Sequence, residues 1–203
     1  MNAPARRTQQ ERRESTIQKL LDATIGCLVE HGYRDTSIGR ICEAASVSHG
    51  GLFRHFSSRT ALIAAATDEI GLRHIGRLEH RLTDAPPLPD MLDALVGYFR
   101  QATRDPLSCA WREVMVAARS DAELREAVAP AVQRFEDAVM RISSELLGRS
   151  TDDRVFGTLV LSLLHMFDSE ATTTVIFESP EIERIRHDWA VDLLRNALTP
   201  HGV

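Results

Sequence analysis

Apolar residues recur at intervals of three and four along most of the 203-residue chain, which is the spacing of one face of a helix. No segment alternates apolar and polar residues over the length of a strand. Pro130 falls inside one of the helical segments and should bend or interrupt it. The pattern predicts an all-α fold of about nine helices, at residues 15–31, 38–45, 49–56, 59–81, 90–103, 106–118, 121–147, 151–177 and 181–198.

The second and third of these segments are joined by only three residues, Ser46, Val47 and Ser48. So short a connection makes two helices cross steeply, which is the geometry of a helix-turn-helix. Val47, Leu52 and Phe56 have the spacing of apolar contacts that hold the third helix against the first two. The outward positions of the third helix are short or basic, as a helix in the major groove of DNA requires.

Gly50 and Gly51 stand next to each other in the third segment. Each glycine inside a helix costs about 1 kcal/mol relative to alanine. Either their missing side chains let the backbone approach DNA closely, or the segment is a poorly formed turn. The sequence leaves both interpretations open.

The net charge of −5 is unevenly distributed along the chain. Residues 1–60 carry nine Lys or Arg against six acidic residues, a balance of +3, and the remainder therefore carries −8. A basic head on an acidic body fits a DNA reader with a separate regulatory domain, although solvated surface can produce the same asymmetry. Residues 1–14 are polar and are expected to be a disordered arm, whose four arginines either contact DNA or only keep the chain soluble.

A set of residues at fixed spacing between positions 17 and 70 resembles the DNA-binding region of the TetR family. The set comprises His31-Gly32-Tyr33, Thr36-Ser37-Ile38, Ile41, Ala44-Ala45, Val47-Ser48, Gly50, Leu52, His55-Phe56 and Ala61-Leu62. The resemblance implies a helix-turn-helix domain at 15–60 and a larger helical domain for effector binding and dimerisation at 61–203. It also implies a homodimeric repressor that binds a palindromic operator in double-stranded DNA and leaves it when a small-molecule effector binds.

The resemblance and the outward face of the third helix together give the predicted DNA contacts. They are Thr36, Ser37, Arg40, Ser48, His49, Gly50, Gly51, Arg54, His55 and Arg59, with His49 as the candidate for reading a base. Three positions depart from the usual family pattern. Phe53 replaces a tyrosine and lacks its phenol, Ser46 replaces a turn glycine that takes a left-handed conformation, and Arg59 replaces a lysine.

The segment 151–177 is apolar on more than one face, so it must be covered on two sides. With the last helix it could form a four-helix bundle with the same pair of a second subunit, or it could belong to a purely intramolecular core. The predicted dimer contacts are Phe156, Leu159, Leu163, Ile182, Ile185, Trp189 and Leu193.

The central helices carry aromatic and sulfur side chains that could line a mostly apolar effector pocket. These are Phe99, Trp111, Met115, Phe135, Met140, His165 and Met166. Ordinary core packing explains them equally well, and the sequence does not identify an effector.

Other classes of protein have little support in the sequence. No run of about 18 apolar residues and no apolar leader segment is present, so we expect a cytoplasmic protein with no membrane partner. The spacing of Cys27, Cys42 and Cys109 fits neither a disulfide framework nor a metal site, although Cys109 could sense oxidation. No motif for a cofactor or a catalytic nucleophile occurs, which disfavours an enzyme. An activator or architectural protein that needs no effector remains the alternative.

Overall fold

In the computed structural model, residues 8–83, 87 and 90–198 are described, apart from the side chain of Leu82. Over these residues the chain forms nine α-helices and no strand, which confirms the predicted fold class. None of the helices in this part of the chain is long and apolar enough to cross a membrane. The helices are α1 (Gln9–Asp35), α2 (Ile38–Ala45), α3 (His49–Phe53), α4 (Arg59–Leu82), α5 (Asp90–Ala102), α6 (Pro106–Ala118), α7 (Ala122–Leu146), α8 (Arg154–Thr174) and α9 (Pro180–Leu198).

Helix α1 begins at Gln9, six residues before the predicted start, so the prediction of a disordered arm was wrong for residues 9–14. The cause is a capping box, in which the Thr8 hydroxyl accepts from the Glu11 amide and the Glu11 carboxylate accepts from the Thr8 amide at 2.7 Å. These two reciprocal bonds satisfy amide groups that a helix start otherwise leaves unpaired. Residues 1–7 of the predicted arm lie outside the described residues.

Side chains also cap the starts of other helices. Ser58 accepts a hydrogen bond from the amide of Ala61 at 3.0 Å, and Asp121 accepts from that of Leu124 at 3.0 Å. Helix α8 instead starts at a cap on Asp153, two residues beyond the predicted Thr151. Helix α7 continues through Pro130 from Ala122 to Leu146, so the prediction of an interruption there was wrong.

The helices form two compact units. The first consists of Met1–Ile70 and Ala110–Ala131, and the second of Gly71–Cys109 and Val132–Val203. We predicted a boundary at residue 60, but the first half of α4, up to Ile70, belongs to the first unit. Leu62 and Ile63 in this half are completely buried. Residues 110–131 join the same unit although they lie far from it in sequence.

The core of the second unit is formed largely by α5, α8 and α9, which contact one another. Next to this core lies a group of ionised side chains. The Glu170 carboxylate of α8, which is 1% exposed, accepts hydrogen bonds from Arg100 of α5, from Arg104 just after α5 and from Arg186 of α9. Glu183 of α9 also pairs with Arg100 and Arg104. A buried carboxylate is tolerated here because three guanidinium groups compensate its charge.

Cys27, Cys42 and Cys109 form no disulfide with one another. Cys27 and Cys42 are buried, and burial raises the pKa of both thiols, which makes them poor nucleophiles. Cys109 is exposed, and redox sensing by it stays a prediction.

Candidate nucleic-acid interface

Serine side chains set the local geometry of α2 and α3. Ser37 accepts a hydrogen bond from the amide of Arg40 at 3.3 Å and caps α2, and Ser48 accepts from the amide of Gly51 at 3.1 Å and caps α3. Between the helices, Ser46 takes the left-handed conformation that we expected, with φ 53° and ψ 43°. The chain therefore turns within three residues, and α3 starts directly from the turn.

Gly50 and Gly51 of α3 differ in the space that a side chain would have. A Cβ atom on Gly51 would lie 2.9 Å from Cγ1 of Val47, so Gly51 lets the helix pack on the turn. The interpretation of Gly51 as a close approach to DNA is therefore unnecessary. A Cβ on Gly50 would meet no atom within 4 Å, and Gly50 lies on the exposed side.

Burial divides α3 into an inner and an outer face. Leu52 is fully buried, whereas His49, Gly50, Phe53 and Arg54 are exposed. Ser37, Arg40 and Ser48 of the preceding segment are exposed too. Among the described residues, the side chains of Arg40, His49 and Arg54 have no hydrogen-bond or ion-pair partner. Two unpaired arginines and a histidine beside a short outer face form a surface suited to the phosphates and base edges of DNA.

The structure corrects two of the predicted DNA contacts. Thr36 is 0% exposed, and its hydroxyl donates to the carbonyl of Gly32 at 2.7 Å, so its side chain cannot reach DNA. Arg59 donates from Nε to the carbonyl of Thr36 at 2.8 Å and from a terminal nitrogen to the carbonyl of Tyr33. Its guanidinium also lies 4.3 Å from the centre of the Tyr33 ring. Arg59, the first residue of α4, therefore ties the start of α4 to the end of α1.

Glu113 of α6 is part of the same arrangement, and sequence reasoning missed it. Its carboxylate accepts a hydrogen bond from the amide of Tyr33 at 2.9 Å, although the two residues are 80 positions apart. The neighbouring Gly32 has φ 70° and ψ 175°, and a Cβ there would lie 2.8 Å from the same carboxylate oxygen. The regular helical geometry of α1 breaks at Gly32, where we predicted the helix to stop, and a short helical piece continues beyond the kink to Asp35.

His55, the last predicted contact, is half-buried. Its ring nitrogen Nδ1 is buried and has no hydrogen-bond partner in the described part of the chain. A buried nitrogen without an acceptor favours the tautomer that carries its proton on Nε2.

Comparisons with known proteins decide which family this fold and surface belong to. The sequence model of the tetR family of bacterial regulatory proteins matches residues 20–66, which include α2 and α3. An uncharacterized HTH-type transcriptional regulator of Mycobacterium tuberculosis is 31% identical over 193 residues, covering 95% of this chain and 99% of the relative. The chain belongs to the TetR family. It is a DNA-binding transcriptional regulator and not an enzyme, as the sequence indicated.

Two further comparisons cover nearly the whole chain. The HTH-type transcriptional regulator CymR of Pseudomonas putida is 29% identical over 190 residues, which is 94% of this chain and 88% of CymR. The structure of the multidrug binding protein EbrR, complexed with imidazole, matches 92% of this chain and 96% of EbrR with a TM-score of 0.60 and 20% identity. The second likeness concerns the fold alone.

The predicted pocket residues do not all fall in one unit. Trp111 and Met115 belong to the first unit and the other five to the second. Phe99 is buried in the core of the second unit, with Phe135 and Met166 packed against that core, and Met140 is half-buried near Gly157. The side chain of His165 is 67% exposed, which excludes it from a buried pocket.

A polar cluster that we did not predict lies inside the second unit. Nε2 of His74 is 3.3 Å from the hydroxyl oxygen of Ser108, and the His74 ring centre is 6.1 Å from that of Phe135. Ser108 donates its own proton to the carbonyl of Ala102 at 2.8 Å, so it accepts from His74. Burial lowers the pKa of His74 to about 4 despite nearby Asp105, so the ring is neutral at pH 7. The sequence does not predict this cluster, because its members are single polar residues in separate helical segments.

The predicted dimer contacts separate into three groups by their burial. Phe156 and Leu163 are buried in the core of their own subunit, so their assignment to an interface was wrong. Leu159 and Leu193 pack against that core and are half-buried. Three of the predicted residues are exposed, and three more apolar side chains at the end of α8 are exposed with them. The exposed set is Ile182, Ile185, Trp189, Val175, Ile176 and Phe177.

Proposed function

We propose that the protein is a cytoplasmic repressor that binds a palindromic operator as a homodimer and releases it when a small molecule binds. The observation that carries the DNA-binding part is the exposed outer face of α3, with the unpaired side chains of Arg40, His49 and Arg54 on or beside it. Repression follows if the bound dimer excludes other proteins from the promoter that contains the operator.

Each part of the outer face has a defined task in this proposal. Arg40 and Arg54 neutralise phosphates, and the exposed turn and helix start at Ser48 orient backbone amides towards the DNA backbone. His49 reads a base edge in the major groove. His55 donates from Nε2 to a phosphate oxygen, which fits the buried and unpaired Nδ1.

The exposed apolar set supports a homodimer. Ile182, Ile185 and Trp189 are spaced by three and four residues, so they share one face of α9. Taking about 150–250 Å² for a large side chain, the six residues expose on the order of 700 Å². A stable interface buries about 800 Å² on each partner, so a second copy of this chain would cover the set. One short reading helix contacts few base pairs, and a twofold pair doubles the sequence that is read.

The His74 cluster supports an effector site within the second unit. A neutral imidazole next to the Phe135 ring can hydrogen-bond a small molecule while the surrounding side chains remain apolar. EbrR, which shares this fold, is a multidrug binding protein. An effector releases DNA only if it binds the DNA-incompetent state more tightly. We infer that it acts through α4, which has residues in both units and whose movement would change the separation of the two reading helices.

The DNA-binding part is tested by selecting duplexes from a random pool with the full chain. We expect a twofold-symmetric motif and two protomers per duplex in analytical ultracentrifugation. Arg54→Ala and His55→Ala should each weaken binding without changing the oligomeric state. Arg119→Ala, an exposed arginine of the first unit outside α2 and α3, is the matched control. Enrichment of no motif would contradict the proposal.

The dimer is tested with Trp189→Glu, which places a charge on the exposed face of α9. We expect monomers at micromolar concentration and loss of operator binding, whereas Val116→Glu, an exposed apolar position in the first unit, should stay dimeric. Unchanged dimers of Trp189→Glu would place the interface elsewhere.

The effector is tested by a thermal-shift screen of metabolites, because a ligand that binds the folded state raises its melting temperature. A hit should release operator DNA, and His74→Phe should weaken its effect. Cross-linking the reading heads through engineered cysteines should abolish the release. A screen without any hit, combined with activation rather than repression of a reporter gene, would favour the effector-independent activator.

A further inference from the structure

Phe53, the last residue of α3, is 50% exposed. In the described part of the first unit, the other large apolar residues that are exposed are Val29 and Val116. Among these residues, Phe53 therefore presents the largest apolar side chain to water. Its neighbour Leu52 is fully buried, so the inner face of α3 is already occupied without the Phe53 ring.

Helical spacing places Phe53 on the outer face of α3. It lies four residues after His49 and three after Gly50, and residues at these intervals are neighbours on a helix surface. Gly50 offers no side chain and meets no atom within 4 Å of a built Cβ. The ring is therefore next to the part of α3 where the backbone can come nearest to a ligand.

The chemistry of the ring limits what it can recognise. A phenyl group neither donates nor accepts a conventional hydrogen bond, so Phe53 cannot hold a phosphate as the tyrosine usual at this position could. In the major groove the one apolar group on a base edge is the 5-methyl group of thymine, and phenylalanine is among the side chains that contact it.

We propose that Phe53 determines operator specificity by packing its ring against the 5-methyl group of a thymine in each half-site. The proposal goes beyond the DNA contacts of Arg40, His49 and Arg54 because it names the base, thymine, that an apolar side chain recognises. It rests on binding of DNA through the outer face of α3.

The test uses the operator selected by the full chain. Each thymine is replaced in turn by deoxyuridine, which removes only the methyl group, and binding is measured by fluorescence anisotropy. Burying one methyl group contributes about 0.8 kcal/mol, so replacing the contacted thymine in one half-site should weaken binding about fourfold. Replacement in both half-sites should weaken it about 16-fold.

Variants assign the effect to the side chain. Phe53→Ala should bind the thymine operator more weakly and lose the discrimination between thymine and deoxyuridine at that position. Phe53→Leu should retain part of the discrimination, since it keeps an apolar contact. Circular dichroism melts that match the wild type show that both variants are folded, as expected for a half-exposed position.

Two results would overturn the proposal. The first is a wild-type protein that is insensitive to deoxyuridine at every position, and the second is a Phe53→Ala variant that discriminates as well as the wild type. A chain that selects no duplex would contradict the proposed function instead, so the two failures are distinguishable.

Discussion

Replacing Gly32 by alanine tests the link between α1 and α6 inside the first unit. Gly32 has φ 70° and ψ 175°, a conformation that costs other residues about 1–3 kcal/mol. In addition, the new Cβ would lie 2.8 Å from the Glu113 carboxylate that accepts the Tyr33 amide bond, so the carboxylate must move away. Hydrogen bonds to charged groups contribute about 1.5–3 kcal/mol, and this one is at the lower end because it is exposed.

Gly32→Ala should therefore reduce the free energy of unfolding by about 2–4 kcal/mol. For a chain of this size each kcal/mol lowers the melting temperature by about 2–4 °C, so a decrease of about 4–16 °C is expected by circular dichroism. Gly148→Ala is the matched control, because Gly148 has φ 65° and no atom within 4 Å of a built Cβ. It should cost about 1–2 kcal/mol, the backbone strain alone.

A double-mutant cycle separates strain from the clash. In a Glu113→Ala background the carboxylate is absent, and Gly32→Ala should then cost only the backbone strain. If Gly32→Ala costs the same in both backgrounds, and no more than Gly148→Ala, the Glu113 contact does not stabilise the unit and the reasoning is refuted.

Three further predictions concern single positions. Ser46→Gly should raise stability by about 1 kcal/mol, measured by urea denaturation, because it relieves a left-handed serine; a loss would contradict this. Arg59→Lys should lower stability by about 1 kcal/mol, since an ammonium cannot donate to both carbonyls and stack on Tyr33 as the guanidinium does, and an unchanged melt would argue against the tie. Burial raises the pKa of Glu170, but hydrogen bonds from Arg100 and its other arginine partners lower it more, to below the ordinary value. The stabilisation is therefore complete above the ordinary carboxyl pKa and is lost as the pH falls towards the folded value. Glu170→Gln should lower the free energy of unfolding by about 3–5 kcal/mol at pH 7. The free energy of unfolding of the variant should also fall less steeply with decreasing pH than that of the wild type; an equally steep fall would contradict the assignment.

The sequence was sufficient where local chemistry decides the structure. The short connection at residues 46–48 and the apolar position of Leu52 are signals within a few residues, and they predicted α2, α3 and the inner face of α3. Thr8 and Glu11 have the sequence spacing of a capping box, but the surrounding residues are polar, and their polarity predicted a disordered arm instead of a helix.

The sequence did not show which groups the polar side chains bind inside the protein. The hydroxyl of Thr36 donates to the carbonyl of Gly32, and Arg59 donates to the carbonyls of Thr36 and Tyr33. Neither side chain therefore has the DNA contact that the family resemblance implied. Periodicity identified α8 as apolar on several faces without indicating which face its own subunit covers. For that reason Phe156 and Leu163 were assigned to the interface although they are buried in the core.

The most direct measurement for the whole account is the operator affinity of Gly50→Glu. The position is exposed with no atom within 4 Å of a built Cβ, and a helix gains about 0.5–1 kcal/mol when a glycine is replaced, so the fold should be retained or stabilised. Gly76→Glu, equally open on α4 in the second unit, is the control for added charge. If the outer face of α3 lies against DNA, Gly50→Glu should lose at least 100-fold in affinity while Gly76→Glu binds like the wild type. Wild-type affinity of a folded Gly50→Glu would contradict the account.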